Sequence, residues 1–290
     1  MTEAGPLVSV GLPVRDGGAA LDLALTALRQ QSHSELEIIV CENGSQDDSL
    51  RVALAHAAQD SRVRVVPADP PVDAVSNFNR CLGMARGAFF MWAAHDDLFE
   101  PEFIGACLEA LSATGALACV TDSMIIDGEG REVAARRVDD RLASTRARDR
   151  LRAHARAQDW LEVYALYRRS VLVHDGLALQ SVPGPDVLFT WRLLQRGPLA
   201  VVHRPLFRYR RVAPSYKSAL EMFGSTVTKG GRSSPHALNA RLWWALWRGA
   251  DSPRTRRVAR LELLGALLTR AWLRRFRDDM RAELTLAGRR

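Results

Sequence analysis

The chain has 290 residues, of which 47% are hydrophobic and 25% are charged. This balance is typical of a globular protein and excludes a disordered, collagen-like or multi-span membrane chain. The formal net charge is +7, and it is concentrated in residues 241–290, which contain thirteen Arg against five acidic residues. The remainder of the chain is therefore close to neutral.

Short β-prone apolar runs alternate with helical patterns in the first hundred residues. We predict strands at 7–13, 37–41, 63–66 and 88–93, separated by helices at 21–28, 48–59 and 75–85. Such alternation is typical of a parallel sheet built from right-handed βαβ units. Because open parallel sheets bind ligands at the carboxyl ends of their strands, we expect the loops at Glu42-Asn43 and Asp96-Asp97 to face one crevice.

The pattern changes after Pro101. Residues 131–159 are charged with weak periodicity, and residues 217–235 are predicted to be a linker or mobile loop. The other elements that we predict are a helix at 102–112, a strand at 117–126 ending in an Asp127-Gly128 hairpin turn, a strand at 160–168, a helix starting near Pro185-Asp186, and short strands at 199–202 and 206–210.

Four cysteines occur singly in apolar stretches, at Cys41, Cys81, Cys107 and Cys119. They are predicted to be buried thiols of a reducing compartment rather than zinc ligands or disulfides. The N-terminus lacks the basic and apolar regions of a signal peptide, and no run approaches about 18 apolar residues. We therefore expect a cytoplasmic protein.

Four motifs lie in the N-terminal half: VSVGLPVRDG at 8–17, ELEIIVCENGSQD at 35–47, NFNRxLxxARG at 77–87 and WAAHDD at 92–97. In order and spacing, over about the first 130 residues, they resemble the family 2 glycosyltransferases of GT-A fold. The resemblance implies an α/β fold with a Rossmann-like, mostly parallel sheet flanked by helices. The implied parts are a nucleotide-sugar-binding half at 1–100, an acceptor-binding and catalytic half at 101–215, a mobile loop or linker at 216–235 and a basic amphipathic helical tail at 236–290.

The same resemblance implies the roles of individual residues. Asp97 would bind Mn²⁺ or Mg²⁺, and Asp96 would contact the ribose or sugar of the donor. Asp186, which is the acid of segment 182–193, would be the catalytic base. The implied donor-binding residues are Pro13, Arg15, Glu42, Asn43, Asn79 and Asp96.

These residue types suit a sugar transfer with inversion. A cation at Asp97 would neutralise the negative charge that develops on the departing diphosphate. A carboxylate at Asp186 would accept the proton of the attacking hydroxyl on the opposite face of the sugar. The implied enzyme is a hexosyltransferase acting on a glycan, lipid-linked or small-molecule acceptor, as in cell-envelope polysaccharide biosynthesis.

Structural interpretations of the same residues remain open. Asp186 follows Pro185 and is an acid of the kind favoured at helix N-termini. Arg208, Arg210 and Arg211 fit either a solvated strand edge or a clamp for the diphosphate.

The chain also departs from the family pattern. Many members have an aromatic residue at the position of Arg15, and Asp-Asp at that of Glu42-Asn43. The departures leave uracil, thymine and guanine open as the base, and they leave a non-catalytic GT-A domain that binds a nucleotide sugar or serves as a scaffold as the alternative function. A dinucleotide-dependent oxidoreductase is excluded because no G-x-G-x-x-G follows the first strand.

The basic tail combines Arg with tryptophans and a leucine repeat at helical spacing. Trp243, Trp244 and Trp247 precede Leu261, Leu264 and Leu268. The pattern predicts packing on the chain's own domain or on a second copy in a homodimer, with peripheral contact at the inner face of an anionic membrane as the alternative. Nucleic acid is not expected as a partner.

Overall fold

The computed structural model describes residues 5–157, 161–182, 184–211, 243–250 and 253–267. They belong to two compact units. The first, which we call the sheet unit, takes its described residues from 5–140, 161–178 and 199–211. The second, the helical unit, takes its described residues from 141–157, 179–198 and 243–267. The donor and acceptor halves expected at 1–100 and 101–215 stay a prediction.

All strands of the described residues lie in the sheet unit. They are β1 (Val8–Val14), β2 (Leu36–Glu42), β3 (Val63–Pro67), β4 (Phe89–Trp92), β5 (Leu98–Phe99), β6 (Ala118–Ile126), β7 (Glu132–Arg136), β8 (Leu166–Arg168) and β9 (Leu199–Arg210). The helices of this unit are α1 (Gly18–Arg29), α2 (Ser49–Gln59), α3 (Ala74–Met84), α4 (Phe103–Thr114) and α6 (Arg169–His174). The helical unit contains α5 (Ala147–Arg156), α7 (Pro185–Arg196) and the helix that we number α8 (Arg256–Leu267).

The strands form one mixed sheet in the order β3-β2-β1-β4-β8-β6-β9-β5, with β7 paired to β6. Strands β3, β2, β1 and β4 are parallel, as the βαβ pattern predicts. Because β8 is antiparallel to both β4 and β6, those two strands run in the same direction, and β9 runs parallel to β6. The carboxyl ends of β1, β2, β4, β6 and β9 therefore point to one edge of the sheet, which we call the carboxyl edge.

Apolar runs explain the centre of this sheet. Every residue of β1 is buried, and β2 is buried at all positions except Glu37, which is half-buried. Such near-continuous burial is typical of a parallel strand covered on both faces. In α1 the residues that repeat at helical spacing, Leu21, Leu25 and Leu28, are the ones that face the core. All four cysteines are buried and unbridged, as predicted.

The charged stretch at 131–159 holds more regular structure than its periodicity indicates. It forms β7 and α5, and α5 buries the polar side chains of Arg150 and His154 beside Leu151 and Ala153. Arg150 is buried and donates from Nε to the carbonyl of Leu194, and His154 Nε2 lies 3.0 Å from the carbonyl of Val187. Periodicity fails here because hydrogen bonds to backbone carbonyls, rather than apolar contacts, accompany the burial of these side chains.

Two strand predictions need correction. Only Leu166–Arg168 of the predicted strand at 160–168 is extended, and Leu161–Tyr164 forms a 3₁₀ turn. The two short strands expected at 199–202 and 206–210 are one strand, β9. The pairing register with β6 shifts beside Asp122, which faces Pro205, so the strand continues past this proline as a bulge.

In the helical unit, α8 packs on α5. Ala259, Leu263 and Ala266 are buried, whereas Leu261 and Leu264 are exposed. The predicted linker at 216–235 lies outside the described residues, and the predicted tail is described only at 243–250 and 253–267. Within the described residues, no helix has the length and apolar character needed to cross a membrane.

Candidate functional site

The loops after β1 and β2 are bound to each other at the carboxyl edge. Asp16 adopts a positive φ of 52°, which is uncommon for a residue with a side chain. Its N–H donates to Ser45 Oγ at 3.0 Å, and its Oδ1 accepts from the N–H of Gln46 at 2.7 Å. The N–H of Gly18 donates to Asp47 Oδ2 at 2.8 Å. These reciprocal hydrogen bonds hold the two loops against each other.

Glu42 and Asn43, which are predicted to bind the donor through its base, are both buried at the end of β2. Glu42 Oε1 accepts from the N–H of Ser45 at 2.6 Å. The Asn43 amide donates to the carbonyl of Val72 and accepts from the N–H of Val72, both at 2.8 Å. Both side chains therefore hold the chain's own loops, and a role in recognising the base stays a prediction.

Three further residues predicted to bind the donor, Pro13, Arg15 and Asn79, differ in exposure. Pro13 is buried within β1, opposite Cys41. Arg15 is exposed and lies 3.8 Å from Asp16, so its guanidinium is accessible to solvent beside the interlocked loops. Asn79 is half-buried on α3. The adjacent Asn77 anchors that helix by donating to the carbonyl of Cys41 at 2.9 Å.

Asp96 and Asp97 follow β4, as the sequence predicts. Asp97 is only 2% exposed, and its Oδ1 accepts from the backbone N–H of Arg210 at 2.8 Å. Its Oδ2 is also buried and has no hydrogen-bond partner among the described residues. Asp96 is half-buried, and its carbonyl accepts from Arg210 Nε at 2.9 Å.

The environment of Asp97 disfavours its charged form. Burial raises the pKa of Asp97 well above its ordinary value, and the neighbouring Asp96 carboxylate adds to the rise. The backbone N–H and the charge of Arg210 lower it by less. A cation beside Oδ2 would offset this cost, because an opposite charge favours the carboxylate.

The donor set around Asp97 fits a hard cation that a substrate completes. Within the described residues, no cluster of three or more His, Cys, Asp or Glu side chains could hold a metal by itself. Mg²⁺ and similar cations are commonly held by one or two carboxylates together with substrate phosphates. The unpartnered oxygen of Asp97 suits that arrangement, with Asp96 beside it.

Asp186 lies in the helical unit, in the first turn of α7. Gly184 precedes it in a left-handed conformation with φ of 66°, and Pro185 occupies the first helical position. The carboxylate is half-buried. Its place in the first turn suits both of the roles considered for it, the helix-terminal acid and the base.

Arg210 is expected from the sequence to be a strand-edge residue or a diphosphate clamp, but the sequence does not predict its contacts with Asp96 and Asp97. Its backbone N–H holds Asp97, and its guanidinium donates to the carbonyls of Asp96, Asp127 and Gly128. Arg208, on the same strand, instead pairs with Glu100 and Glu132. The pairing of β9 with β5 brings Arg210 to the end of β4, and no local sequence pattern reports that pairing.

The mixed sheet with its flanking helices and acidic strand ends defines a GT-A glycosyltransferase fold. Residues 9–174, which are more than half of the chain, match the model of glycosyl transferase family 2. The chain therefore belongs to glycosyl transferase family 2.

Two curated relatives illustrate how far this similarity extends. The chondroitin synthase of Escherichia coli is 30% identical over 130 residues, which cover 44% of this chain and 19% of the synthase. The putative glycosyltransferase EpsH of Bacillus subtilis is 27% identical over 222 residues, 71% of this chain and 61% of EpsH. The chain thus spans about a fifth of the synthase that it matches.

Solved structures share the fold at low sequence identity. The S. aureus TarS fragment 1–349 in complex with UDP-GlcNAc gives a TM-score of 0.70 at 14% identity, over 90% of this chain and 71% of that chain. The mannosyltransferase PcManGT of Pyrobaculum calidifontis, in complex with GDP-Man and Mn²⁺, gives 0.54 at 17% identity, over 98% and 86% of the two chains.

Proposed function

We propose that this chain is an inverting, metal-dependent hexosyltransferase that moves a sugar from a nucleotide-sugar donor to a hydroxyl of a glycan, lipid-linked or small-molecule acceptor. The observation that carries the proposal is Asp97. One of its oxygens is fixed by a backbone N–H at 2.8 Å, and the other is buried without a partner among the described residues. A carboxylate held in this way is oriented for a ligand that the fold itself does not provide.

Asp97 would hold Mn²⁺ or Mg²⁺, and Asp96 would contact the ribose or sugar of the donor. When bound there, the cation would neutralise charge that develops on the leaving diphosphate. Arg210 would orient the two aspartates, because its N–H donates to Asp97 Oδ1 and its guanidinium donates to the carbonyl of Asp96. The exposed guanidinium of Arg15 and the interlocked loops after β1 and β2 would bind the nucleotide.

Asp186 would be the general base that accepts the proton of the acceptor hydroxyl. The partial positive charge at the N-terminus of α7 favours an ionised carboxylate in the first turn, and a base must be ionised to accept a proton. A positioned base of this kind contributes about 10²- to 10⁴-fold to the rate.

The donor is a nucleotide sugar whose base is uracil, thymine or guanine. Support comes from the two structural neighbours, which were solved with UDP-GlcNAc and with GDP-Man. They carry different bases, and the side chains of Glu42 and Asn43 are occupied by loop contacts, so we leave the base open.

A thermal-shift panel of UDP-, dTDP- and GDP-sugars, each with and without Mn²⁺, tests the function. We expect one nucleotide class to raise the melting temperature only when Mn²⁺ is present, and the same donor to release its nucleoside diphosphate when acceptor is added. A metal-dependent shift without any release would favour the non-catalytic alternative. If no nucleotide sugar of the panel changes the melting temperature of a folded sample, both the catalytic function and the non-catalytic alternative are contradicted.

We further propose that the tail contacts the inner face of an anionic membrane. Leu261 is 66% exposed, Leu264 is 44% exposed and Trp244 is 61% exposed. Exposed apolar side chains among many Arg residues are typical of a helix that lies on such a surface. The proposed location is cytoplasmic, with peripheral attachment. A homodimer through the same side chains is the competing proposal.

A double variant, Leu261→Gln with Leu264→Gln, separates these proposals while leaving the buried face of α8 intact. We expect it to lose sedimentation with anionic liposomes, whereas Leu54→Gln, at a leucine of α2 whose exposure of 51% lies between those of the two, does not. A dimer that dissociates in the double variant, with no liposome binding by the wild type, would favour the homodimer instead.

A further inference from the structure

Helix α7, which carries the proposed base, is bonded to helix α5 along one side. His154 Nε2 of α5 lies 3.0 Å from the carbonyl of Val187, and Arg150 Nε donates to the carbonyl of Leu194 at 2.9 Å. The rings of His154 and Trp191 lie 6.2 Å apart. Val187, Trp191 and Leu194 share one side of α7, because residues three or four positions apart are neighbours on a helix surface. Helix α5 therefore holds α7 from its first turn to its last.

The tail covers a second side of α7, at Gly249. A Cβ added to Gly249 would lie 2.5 Å from Leu188 Cδ1 and 3.6 Å from Arg192 Cγ. The Gln195 amide donates to the carbonyl of Gly249 at 2.8 Å, and its oxygen accepts from Thr255 Oγ1 at 3.4 Å. Leu188, Arg192 and Gln195 are again three or four positions apart, so the tail contacts one continuous side of the helix.

Glycine is needed at position 249 for this close approach. Gly249 does not have the positive φ that favours glycine in turns. Its lack of a side chain therefore serves packing, because Leu188 is buried and a Cβ at 2.5 Å from its Cδ1 would force that side chain to move. Leu188 lies two residues after Asp186, so the contact is made beside the proposed base.

Asp186 lies on a third side of α7. At about 100° per residue, its direction is about 110° away from the side that faces α5 and about 150° away from the side that faces the tail. Contacts on two different sides prevent a rigid helix from rotating about its own axis. They therefore determine where the Asp186 carboxylate points, and a displacement of about 1 Å at a reacting group can lower a rate by about 10²-fold.

We infer that the tail positions the general base: Gly249, held by Gln195, packs against Leu188 and thereby fixes the orientation of the Asp186 carboxylate. The inference rests on the proposed function and adds to it a part for the tail in catalysis. Gly249 and Gln195 are positioning residues, because they act through α7 and leave the proton transfer to Asp186.

Gly249→Ala tests the inference through the rate of donor hydrolysis. The probe is the nucleotide sugar that the thermal-shift panel identifies, at saturating concentration with Mn²⁺ and with water as the acceptor. We expect the added Cβ to displace Leu188 and to lower kcat about tenfold or more, because a misplaced base accepts the proton of the water less well. The donor KM and the Mn²⁺-dependent thermal shift should stay at the wild-type values.

Three further variants show whether the contact with the tail is responsible. Gly249→Ala combined with Leu188→Val should recover most of the lost rate, because valine has no Cδ1 for the added Cβ to meet. Gln195→Leu, which removes the hydrogen bond to the Gly249 carbonyl, should also lower kcat and serves if Gly249→Ala fails to fold. Gly265→Ala is the matched control in the same tail, since a Cβ at this position of α8 would meet no atom of the described residues within 4 Å. It should turn over as the wild type does.

Combination with Asp186→Asn separates positioning from general damage. A residue that acts through the Asp186 carboxylate has nothing left to position in that variant, so Gly249→Ala should lower its residual rate by less than about twofold. Wild-type kcat in Gly249→Ala, or an equal loss in both backgrounds, would overturn the inference while leaving the proposed metal ligand and base untouched. Wild-type kcat in Asp186→Asn would instead contradict the proposed base and with it the inference.

Discussion

Two buried carboxylates of the sheet unit, Asp97 and Glu162, differ in their hydrogen bonding from Glu262, a buried carboxylate of the helical unit. In the helical unit, Glu262 is 7% exposed, and its two oxygens accept from Arg148 and Arg152 at 2.8 Å. Burial opposes its ionisation, but these bonds leave the pKa of Glu262 below its ordinary value. In the sheet unit, Asp97 and Glu162 each have one paired oxygen and one buried oxygen without a partner among the described residues.

We propose that the difference separates side chains that hold the fold from side chains whose unpaired oxygen binds a ligand, as proposed for Asp97. A carboxylate whose oxygens are all bonded contributes to stability, and its loss should be seen in unfolding. A carboxylate with a buried unpaired oxygen costs stability until a partner arrives, and its loss should be seen in binding. Substitutions therefore distinguish the two kinds of carboxylate, one through unfolding and the other through binding.

The largest effect is expected at Asp186, which we assign to catalysis although it lies in the helical unit. Asp186→Asn should lower turnover by about 10²- to 10⁴-fold while the donor thermal shift stays unchanged. Asp149→Asn is the matched control, because Asp149 is also a half-buried acid in the first turn of a helix of that unit. Equal turnover in the two variants would place Asp186 among the structural acids.

Asn43 tests whether a residue implied by the family resemblance acts through the fold. Asn43→Ala removes both bonds to Val72 and should lower the free energy of unfolding by about 2 kcal/mol, measured by urea denaturation. If the variant is as stable as the wild type but binds donor more weakly, the amide serves the ligand rather than the loop.

Glu262 represents the paired side of the comparison. Glu262→Ala should lower the free energy of unfolding by about 1 kcal/mol, a modest value because the side chains of Arg148 and Arg152 are 64% and 34% exposed. Donor binding should not change. A loss of donor binding in a folded variant would show that pairing does not mark a purely structural carboxylate.

The smallest effect is expected at His203, which is fully paired within the sheet unit. Its ring nitrogens lie 2.6 Å from Asp140 Oδ1 and 3.2 Å from Asp122 Oδ1, and these bonds, led by that of Asp140, raise the pKa of His203 above 6.5. Because the folded-state pKa is the higher one, the stabilisation is present below about pH 6.5 and is lost as the pH rises through the raised pKa. The melting temperature of wild type minus that of His203→Gln should therefore be larger at about pH 6 than at about pH 9. A pH-independent difference would mean that the pairing carries no charge.

The parallel half of the sheet was predictable from the sequence because its strands and helices have local periodicity. The placement of Asp97 at a strand end follows from the same pattern. The rest depends on long-range pairing, because β9 reaches β5 and brings Arg210 to Asp97. Helix α5 was missed because two of its four buried residues, Arg150 and His154, are polar side chains bonded to carbonyls, which weakens the apolar pattern.

The most direct measurement of the central claim is the thermal shift of Asp97→Asn, titrated with Mn²⁺ in the presence of the donor identified by the panel. We predict that the wild type shows a Mn²⁺-dependent rise and that Asp97→Asn shows none. Without donor, this variant should melt at the wild-type temperature or above it, because the amide removes a charge from a buried position. Asp175→Asn, at an exposed carboxylate, should behave as the wild type. A full Mn²⁺-dependent shift in Asp97→Asn would contradict the account.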